Sequence, residues 1–439
     1  MEELPESVCS SAAKDSKYIK TMRDNGLEYD ETKFGPDPTY ADLYDGTFGP
    51  TQSVLVVADD PLALLFYFMP PNLWAQIARK SGGEVEALDD IQRRLEDVKD
   101  ICAYEVLQVM SLLIARMLAP IRKGIAAHWS VANVGAMPAN RFSLFMSKNR
   151  FFHIMGYLQF SNNKSPKANT DRAWKIRPVI DVLQRTFARG YRVPPVISFD
   201  ETTLPSHTIL LDNPTKMNPT RGDEGLRRCM GQDIILHEVS SPVASFDSPR
   251  FFMPKIEVYC GAKEYLRVPV AKDNNSDEAA VLRNMNELCP PSPTSPWRLV
   301  VTDRFYTSVK LALELLHRRM YLTGTIQTDR SGYAKDVITK KKTRIVNKQK
   351  VMAPPQGTTK LAENKRFPQL TAVMWMDRLP VHMLSTGGSR RPSTVSTYAS
   401  SVCGECNANF FTVVYPKVRR VHGEMKAVPA PELVRDYHR

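Results

Sequence analysis

The stretch VVTDRFYTSVKLALELLHRRMYLTGTIQTDR, residues 300–330, decides the fold class. A short apolar run ending at Asp303 predicts a strand, and YLTGTIQT (321–328) predicts another. Residues 306–320 between them show helical spacing. The apolar residues on one face of that helix are Val309, Ala312, Leu313, Leu316 and Met320. Strand, helix and strand of these lengths form a βαβ unit with parallel strands, so we predict an α/β domain with a mixed sheet and flanking helices.

Further strands are indicated on both sides of this unit. VPPVISFDE (193–201) is rich in β-branched and aromatic residues and predicts a strand ending at Asp200. KIEVYCG (255–261) predicts one more. AVMWMDRLPVHMLST (372–386) predicts two short strands around a turn at 377–380.

The region before the sheet is predicted to be helical. The pair Asp60–Pro61 is a favoured helix start, and helical spacing continues to about Thr186. A long, mostly buried helix is predicted within LEDVKDICAYEVLQVMSLLIARML (95–118). Its predicted apolar face is formed by Val98, Ile101, Val106, Met110, Leu113 and Met117. Residues 1–50 are polar and rich in Asp, Gly and Pro, which is typical of a flexible leader.

Composition limits the class of protein. The 439 residues exceed one hydrophobic core, so two or three domains are expected. Lys and Arg outnumber Asp and Glu by 59 to 47, which favours a polyanionic partner such as nucleic acid. Seven scattered cysteines argue against a secreted disulfide framework. The N-terminus shows no signal peptide, and the most apolar run, 109–121, is short and interrupted by Arg116, so we expect no membrane segment and an intracellular protein.

Asp200 and Asp303 are the candidate catalytic and metal-binding residues. Each is predicted at the carboxyl end of an apolar strand, the edge of an α/β sheet where ligands usually bind. Carboxylates on neighbouring strands can hold Mg²⁺, and two such ions can clamp a phosphodiester. The alternative is that each Asp stabilises a turn or, for Asp303, caps the following helix.

A basic segment and one tryptophan are candidate DNA contacts. The basic residues are Lys340, Lys341, Lys342, Arg344, Lys348 and Lys350. They are suited to phosphate contacts or to a nuclear localisation signal, or they form a solvated loop. Trp375 can stack on a base or pack in the core. Cys403 and Cys406 have the spacing of half a zinc site, but no suitable second pair follows.

The chain resembles the piggyBac transposase family at several separated places. The segments that carry the resemblance are LLFYFMPPNLWAQIA (64–78), MSKNRFFHIMGYLQFSNN (146–163), DRAWKIRPVID (171–181), VISFDET (196–202), VVTDRFYTSVKLALELLHRRMYLTGTIQTDR (300–330) and VMWMDRLPVHMLST (373–386). The resemblance implies a ribonuclease-H-like catalytic core and an aspartate triad that uses two Mg²⁺ or Mn²⁺ ions. Asp200 and Asp303 match its first two positions. It also implies cut-and-paste transposition in the nucleus, on transposon ends and target DNA, and a homodimer.

With this resemblance, five regions are expected. They are a leader at 1–50, a helical dimerisation or DNA-binding domain at 51–190, a catalytic core at 191–332, a basic loop and β insertion at 333–390, and an irregular tail at 391–439.

The sequence also departs from the family pattern. The family's third aspartate follows a stretch like PAPELVRDYHR (429–439) in a Gly-Val-Asp motif, and this motif is absent here. Residues 220–250 and 397–418 do not fit the pattern either. We therefore expect a C-terminally truncated transposase with impaired catalysis. The alternative is an inactive, domesticated DNA-binding protein.

Overall fold

The computed structural model describes residues 6–24, 26–28, 39–81, 100–121, 124–130, 141–162, 174–204, 234–243, 250–259, 277–346, 349–389, 400–402, 409–411, 417–421, 424–428, 433 and 437. The helices are α1 (Glu6–Lys14), α2 (Ser16–Met22), α3 (Gln52–Leu55), α4 (Pro61–Phe68), α5 (Pro71–Ser81), α6 (Ala103–Leu118), α7 (Lys148–Tyr157), α8 (Arg177–Gly190), α9 (Asp277–Leu288) and α10 (Val309–His317). Short 3-10 helices lie at Ile125–Trp129, Phe142–Leu144 and Lys335–Val337.

The strands fall into one large sheet and four small pairs. They are β1 (Gly26–Glu28), β2 (Gly49–Pro50), β3 (Tyr191–Arg192), β4 (Val196–Leu204), β5 (Ile234–Val243), β6 (Arg250–Tyr259), β7 (Arg298–Thr302), β8 (Met320–Thr325), β9 (Lys342–Val346), β10 (Gln349–Ala353), β11 (Thr359–Asn364), β12 (Leu370–Met376), β13 (Pro380–Thr386), β14 (Ser400–Val402), β15 (Asn409–Phe411), β16 (Lys417–Val421) and β17 (Glu424–Val428).

The large sheet has nine strands in the order β1-β11-β12-β13-β8-β7-β4-β5-β6. β4, β7 and β8 run parallel at its centre, and the strands on either side pair antiparallel. The predicted βαβ unit is confirmed as β7, α10 and β8. The predicted pair at 372–386 is also confirmed, and it extends this sheet because β13 pairs with β8.

One strand end was predicted wrongly. β4 does not stop at Asp200 but continues to Leu204. Its parallel pairing with β7 ends at Phe199, whereas its antiparallel pairing with β5 continues to the end of the strand. Asp200 therefore lies where one neighbouring strand has ended and the other continues.

Helix α10 is buried on more than the one predicted face, although the Lys310 side chain is 44% exposed. Val309 and each residue from Leu311 to Leu316 are buried, because α10 packs against α1, α9 and β8. A helix packed on several sides is expected to be apolar around most of its circumference. Its buried acid, Glu314, pairs with Arg318 at 2.6 Å, so the charge is compensated.

The described residues of the predicted leader are not a leader in the structure. Residues 6–24 form α1 and α2, and the small residues Cys9, Ala12 and Ala13 belong to the core cluster around α10. Their spacing of three and four positions places them on one face of α1. Small side chains on that face let α1 approach α10 closely. Because the segment is polar overall, its composition did not indicate that one face of α1 is buried.

A second core cluster joins α5, α6 and α7 and confirms the helical character of this region. The buried residues of α6 are Val106, as predicted, and Val109 and Leu112, each one position before a predicted residue. Met117 is 80% exposed, contrary to the prediction, since the contacts to α5 and α7 follow a stripe of three-residue steps. Among the described helices, none is long and apolar enough to cross a membrane.

His382 on β13 gives the fold a pH dependence. Burial lowers the pKa of its imidazole, and its Nε2 accepts a hydrogen bond from the Thr339 backbone N–H at 3.2 Å. A neutral ring is therefore favoured in the folded state. The unfolded chain binds a proton more readily, so this contribution to stability is present above the ordinary pKa of about 6.5 and is lost as pH falls through the folded value.

We predict that the free energy of unfolding falls between pH 8 and pH 5.5, and that His382→Gln reduces this fall. Urea titrations of both proteins at several pH values test this. Burial and the charge of Arg116 lower the pKa of His128 as well. Part of the fall in unfolding free energy therefore remains in the His382→Gln protein. Equal pH dependence in both proteins would contradict the assignment to His382.

Candidate functional site

The parallel pairing of three neighbouring strands ends in one row. Phe199 pairs with Thr302, and Thr302 pairs with Gly324. The residues that follow these partners are Asp200, Asp303 and Thr325, which we call the strand-end row. Because β4 pairs in parallel with β7, the two aspartates lie on adjacent strands, as expected for carboxylates at this edge of the sheet. Asp200 is exposed, and Asp303 and Thr325 are partly exposed, so ligands can reach the row.

Asp303 lies in a turn that its own side chain stabilises. Its Oδ1 accepts hydrogen bonds from the backbone N–H groups of Phe305 at 2.8 Å and Tyr306 at 3.4 Å. Thr307 Oγ1 donates to the Asp303 carbonyl at 2.6 Å. The helix cap is a different residue, Ser308, whose Oγ accepts from Leu311 N at 3.0 Å. The turn alternative is therefore correct for one oxygen of Asp303, and the helix-cap alternative is wrong.

An aromatic pair beneath the row couples the two aspartates. Phe199, the residue before Asp200, is 1% exposed, as is Tyr306 in the Asp303 turn. Their rings meet edge to face, with centroids 4.9 Å apart and an interplanar angle of 90°. Arg330 additionally donates a short hydrogen bond to the Phe305 carbonyl. The residue before Asp200 and a residue of the Asp303 turn thus share one buried contact, which limits the relative movement of the two carboxylates.

Gly324 leaves room for this arrangement. A Cβ at this position would lie 2.2 Å from Thr307 Oγ1 and 2.4 Å from the Thr302 carbonyl oxygen. The hydroxyls of Thr302 and Thr307 hydrogen-bond each other at 2.7 Å in the same space. Since a backbone carbonyl cannot move aside cheaply, the Asp303 turn requires glycine at the end of β8.

Tyr437 is a site residue that the sequence did not reveal. A side-chain hydrogen bond links it to Thr325. Burial raises the pKa of its phenol, the Thr325 hydrogen bond lowers it, and the Asp303 and Asp200 carboxylates raise it further. Its ring packs against a small cluster that contains Trp375 and Leu433.

Three of the basic candidates, Lys342, Arg344 and Lys350, belong to a separate hairpin. Lys340, Lys341 and Lys342 are exposed. Arg344 lies on β9 and Lys350 on β10, which pair with each other and not with the large sheet. Lys348 lies outside the described residues, as do Cys403 and Cys406. The exposed lysines remain candidates for phosphate contacts.

Trp375 is not exposed at the site. It is 1% exposed and packs with Val373, Met383 and Leu433 in the small cluster beside Tyr437. The core-packing alternative is therefore the one that describes Trp375, and the prediction of base stacking is corrected. An apolar strand buried against a returning segment leaves the ring no free face.

The strand-end row suits a hard divalent cation. Two carboxylates on adjacent strands, with a hydroxyl beside them, provide the oxygen ligands that Mg²⁺ and Mn²⁺ prefer. Within the described residues, no group of three or more His, Cys, Asp or Glu side chains could hold a metal ion.

Comparison with solved structures identifies the class of fold. The chain matches the cryo-EM structure of a piggyBac transposase in a synaptic complex with hairpin DNA, with a TM-score of 0.51 and 15% sequence identity. The match covers 90% of this chain and 68% of that one. At this identity the match shows the fold alone, a mixed α/β architecture.

Sequence comparison then identifies the family. The family sequence model described as Transposase IS4 matches residues 60–220 and 243–438. This is most of the chain, which therefore belongs to this transposase family. The two matched blocks leave out the residues between them, inside the 220–250 segment that departs from the piggyBac pattern, whereas 397–418 falls within the second block. A search of curated proteins gave no match.

Proposed function

We propose that this protein is a piggyBac-like, transposase-derived protein that acts on DNA. Its proposed chemistry is strand cleavage and transfer for cut-and-paste transposition, performed in the nucleus by a ribonuclease-H-like core. Its proposed partners are transposon ends, target DNA and a second copy of the chain. Membership of a transposase family supports this assignment.

One observation carries the proposal. Asp200 and Asp303 follow register partners on adjacent parallel strands, at the carboxyl edge where α/β sheets bind ligands. Asp200 and Asp303 would hold a divalent cation, which when bound neutralises charge on a phosphodiester and helps to generate a nucleophile from water. The chain's own part is positioning: the Asp303 turn and the Phe199–Tyr306 contact fix both carboxylates before the ligand arrives.

We further propose that Asp200 and Asp303 without a third carboxylate cleave DNA slowly. The Gly-Val-Asp motif that supplies this carboxylate in the family pattern is not among these 439 residues. Two aspartates can hold one cation, but clamping both the attacking and the leaving oxygen requires a second, and its ligand would be missing. The loss of one active-site carboxylate usually lowers the reaction rate by orders of magnitude.

DNA binding and cleavage test the proposal separately. We expect the affinity for a short DNA duplex to fall linearly with salt on a log–log plot, because basic residues such as Lys340 to Lys342 displace counterions from phosphates. Fluorescence anisotropy measures this. Replacing these three lysines with glutamine should reduce the slope by roughly 1 for each lost contact. The matched control replaces three exposed lysines of the N-terminal segment with glutamine, namely Lys14, Lys17 and Lys20.

Cleavage is measured with a nicking assay in Mn²⁺, on the protein and on the Asp200→Asn/Asp303→Asn variant. Weak nicking that disappears in the variant would support transposase chemistry. Salt-dependent binding with no nicking would favour the alternative, an inactive DNA-binding protein. Robust cutting would contradict the proposed impairment, and the absence of salt-dependent binding would overturn the proposal itself.

A further inference from the structure

The chain returns to the strand-end row near its last residues. Leu433 is completely buried in the cluster with Val373, Trp375 and Met383, and a Cβ on Gly388 would lie 2.8 Å from its Cδ1. Leu433 and Tyr437 are both helical and four positions apart, the spacing of one helical face. Leu433 therefore acts as an anchor that sets where the tyrosine lies.

The hydroxyl of Tyr437 is directed by the sheet. Thr325, which hydrogen-bonds it, is the third member of the strand-end row and stands next to Asp303 in register. The phenol ring packs on the apolar cluster that contains Met383, and Met383 is the register partner of Thr325, so the ring lies beside the strand-end row. A tyrosine with an apolar body and a polar tip commonly places that tip at a binding site.

The chemistry of a phenol limits what it can do there. A tyrosine hydroxyl is protonated at neutral pH and is both a donor and an acceptor. A carboxylate pair repels the phosphate of DNA unless a cation lies between them, and it provides no hydrogen-bond donor of its own. A neutral hydroxyl beside the pair supplies the missing donor for a phosphate oxygen without adding negative charge.

We propose that Tyr437 is a DNA-binding residue of this site, whose hydroxyl, oriented by Thr325, donates a hydrogen bond to a phosphate oxygen held by the cation at Asp200 and Asp303. This inference rests on the proposed function. It assigns Tyr437 to binding of the phosphate and not to binding of the cation. Tyr437→Phe is the variant that removes the donor while keeping the ring in its cluster.

Three affinities of the full chain test the assignment. They are the affinity for Mn²⁺ alone, measured by electron paramagnetic resonance, and the affinities for a short DNA duplex in EDTA and in Mn²⁺. Tyr437→Phe should leave the affinity for Mn²⁺ alone and for DNA in EDTA within about twofold, and should weaken DNA binding in Mn²⁺ by roughly tenfold, the size of one hydrogen bond to a charged group. Thr325→Val should give a smaller loss of DNA binding in Mn²⁺, and adding it to Tyr437→Phe should cause no further loss. Tyr104→Phe, a 67% exposed tyrosine on α6, is the matched control and should not change the gain in affinity that Mn²⁺ produces.

The outcomes separate the two proposals. If Asp200→Asn and Asp303→Asn abolish the Mn²⁺-dependent gain but Tyr437→Phe preserves it, the tyrosine assignment is wrong and the acidic site stands. A Tyr437→Phe protein that also loses affinity for Mn²⁺ alone would overturn the assignment in favour of a cation ligand. If the unaltered chain shows no Mn²⁺-dependent gain, the proposed function fails and the inference fails with it. Unfolding midpoints within the error of the unaltered chain would exclude a merely structural effect.

Discussion

Gly324→Ala is expected to destabilise the protein by at least about 2 kcal/mol, within or above the usual range for overpacking a core. The new methyl group would meet the Thr302 carbonyl oxygen at 2.4 Å and Thr307 Oγ1 at 2.2 Å. Both atoms belong to the end of β7 and the Asp303 turn, so relief requires the parallel strands to separate where the aspartates lie. Urea unfolding measures the cost.

The same substitution should weaken Mn²⁺ binding, because the displaced turn carries Asp303. Gly156→Ala is the matched control, since a Cβ there meets nothing within 4 Å and Gly156 lies in α7. Alanine is the better helix former, so this control should be neutral or stabilising by up to about 1 kcal/mol. A Gly324→Ala protein as stable as the control would show that the strand ends are less tightly packed than the distances indicate.

Asp303→Asn is expected to lower the affinity for Mn²⁺ at least tenfold while leaving the fold intact. The amide oxygen of Asn can still accept the hydrogen bonds from Phe305 N and Tyr306 N, so the turn persists. The negative charge and one anionic ligand are lost. Substitution of groups that merely support metal ligands costs about 10–100-fold in affinity, and a direct ligand should cost no less. Asp200→Asn should have a similar effect.

The control for this experiment is Asp15→Asn. Asp15 accepts backbone hydrogen bonds from Lys17 at 2.9 Å and Tyr18 at 3.0 Å, as Asp303 does from Phe305 and Tyr306, but it lies outside the sheet. It should leave Mn²⁺ binding unchanged. If Asp303→Asn behaves like Asp15→Asn, then Asp303 is a turn residue only, and the proposed cation site is wrong.

Local patterns predicted the centre of the sheet well. The apolar strands and the intervening helix at 300–330 have strong periodicity, and a βαβ unit allows only one arrangement of its strands. The parallel pairing of β4 with β7, which makes Asp200 and Asp303 neighbours, lies outside that unit and was seen only in the structure. Val106 on α6 was predicted correctly, whereas Val109 and Leu112 are buried in place of Met110 and Leu113, because the buried stripe is selected by α5 and α7 and not by α6 alone.

Other features could not be predicted because they depend on segments distant in sequence. The burial of Trp375 depends on Leu433, and the helices at 6–24 become core elements only through their contact with α10. Gly324 looks like an ordinary strand glycine until Thr302 and Thr307 are placed around it. Nothing near Tyr437 in the sequence indicates that its hydroxyl meets Thr325.

The sequence by itself determined the class of fold, the family resemblance and the two aspartates, since each depends on residues close together in the chain. The tertiary structure decided which groups surround those aspartates. It placed Tyr437 and Thr325 beside them, assigned Trp375 to the core, and made Gly324 necessary for the Asp303 turn. The physical reason is that hydrogen bonding between strand ends and packing of a returning segment are long-range contacts, which no local periodicity records.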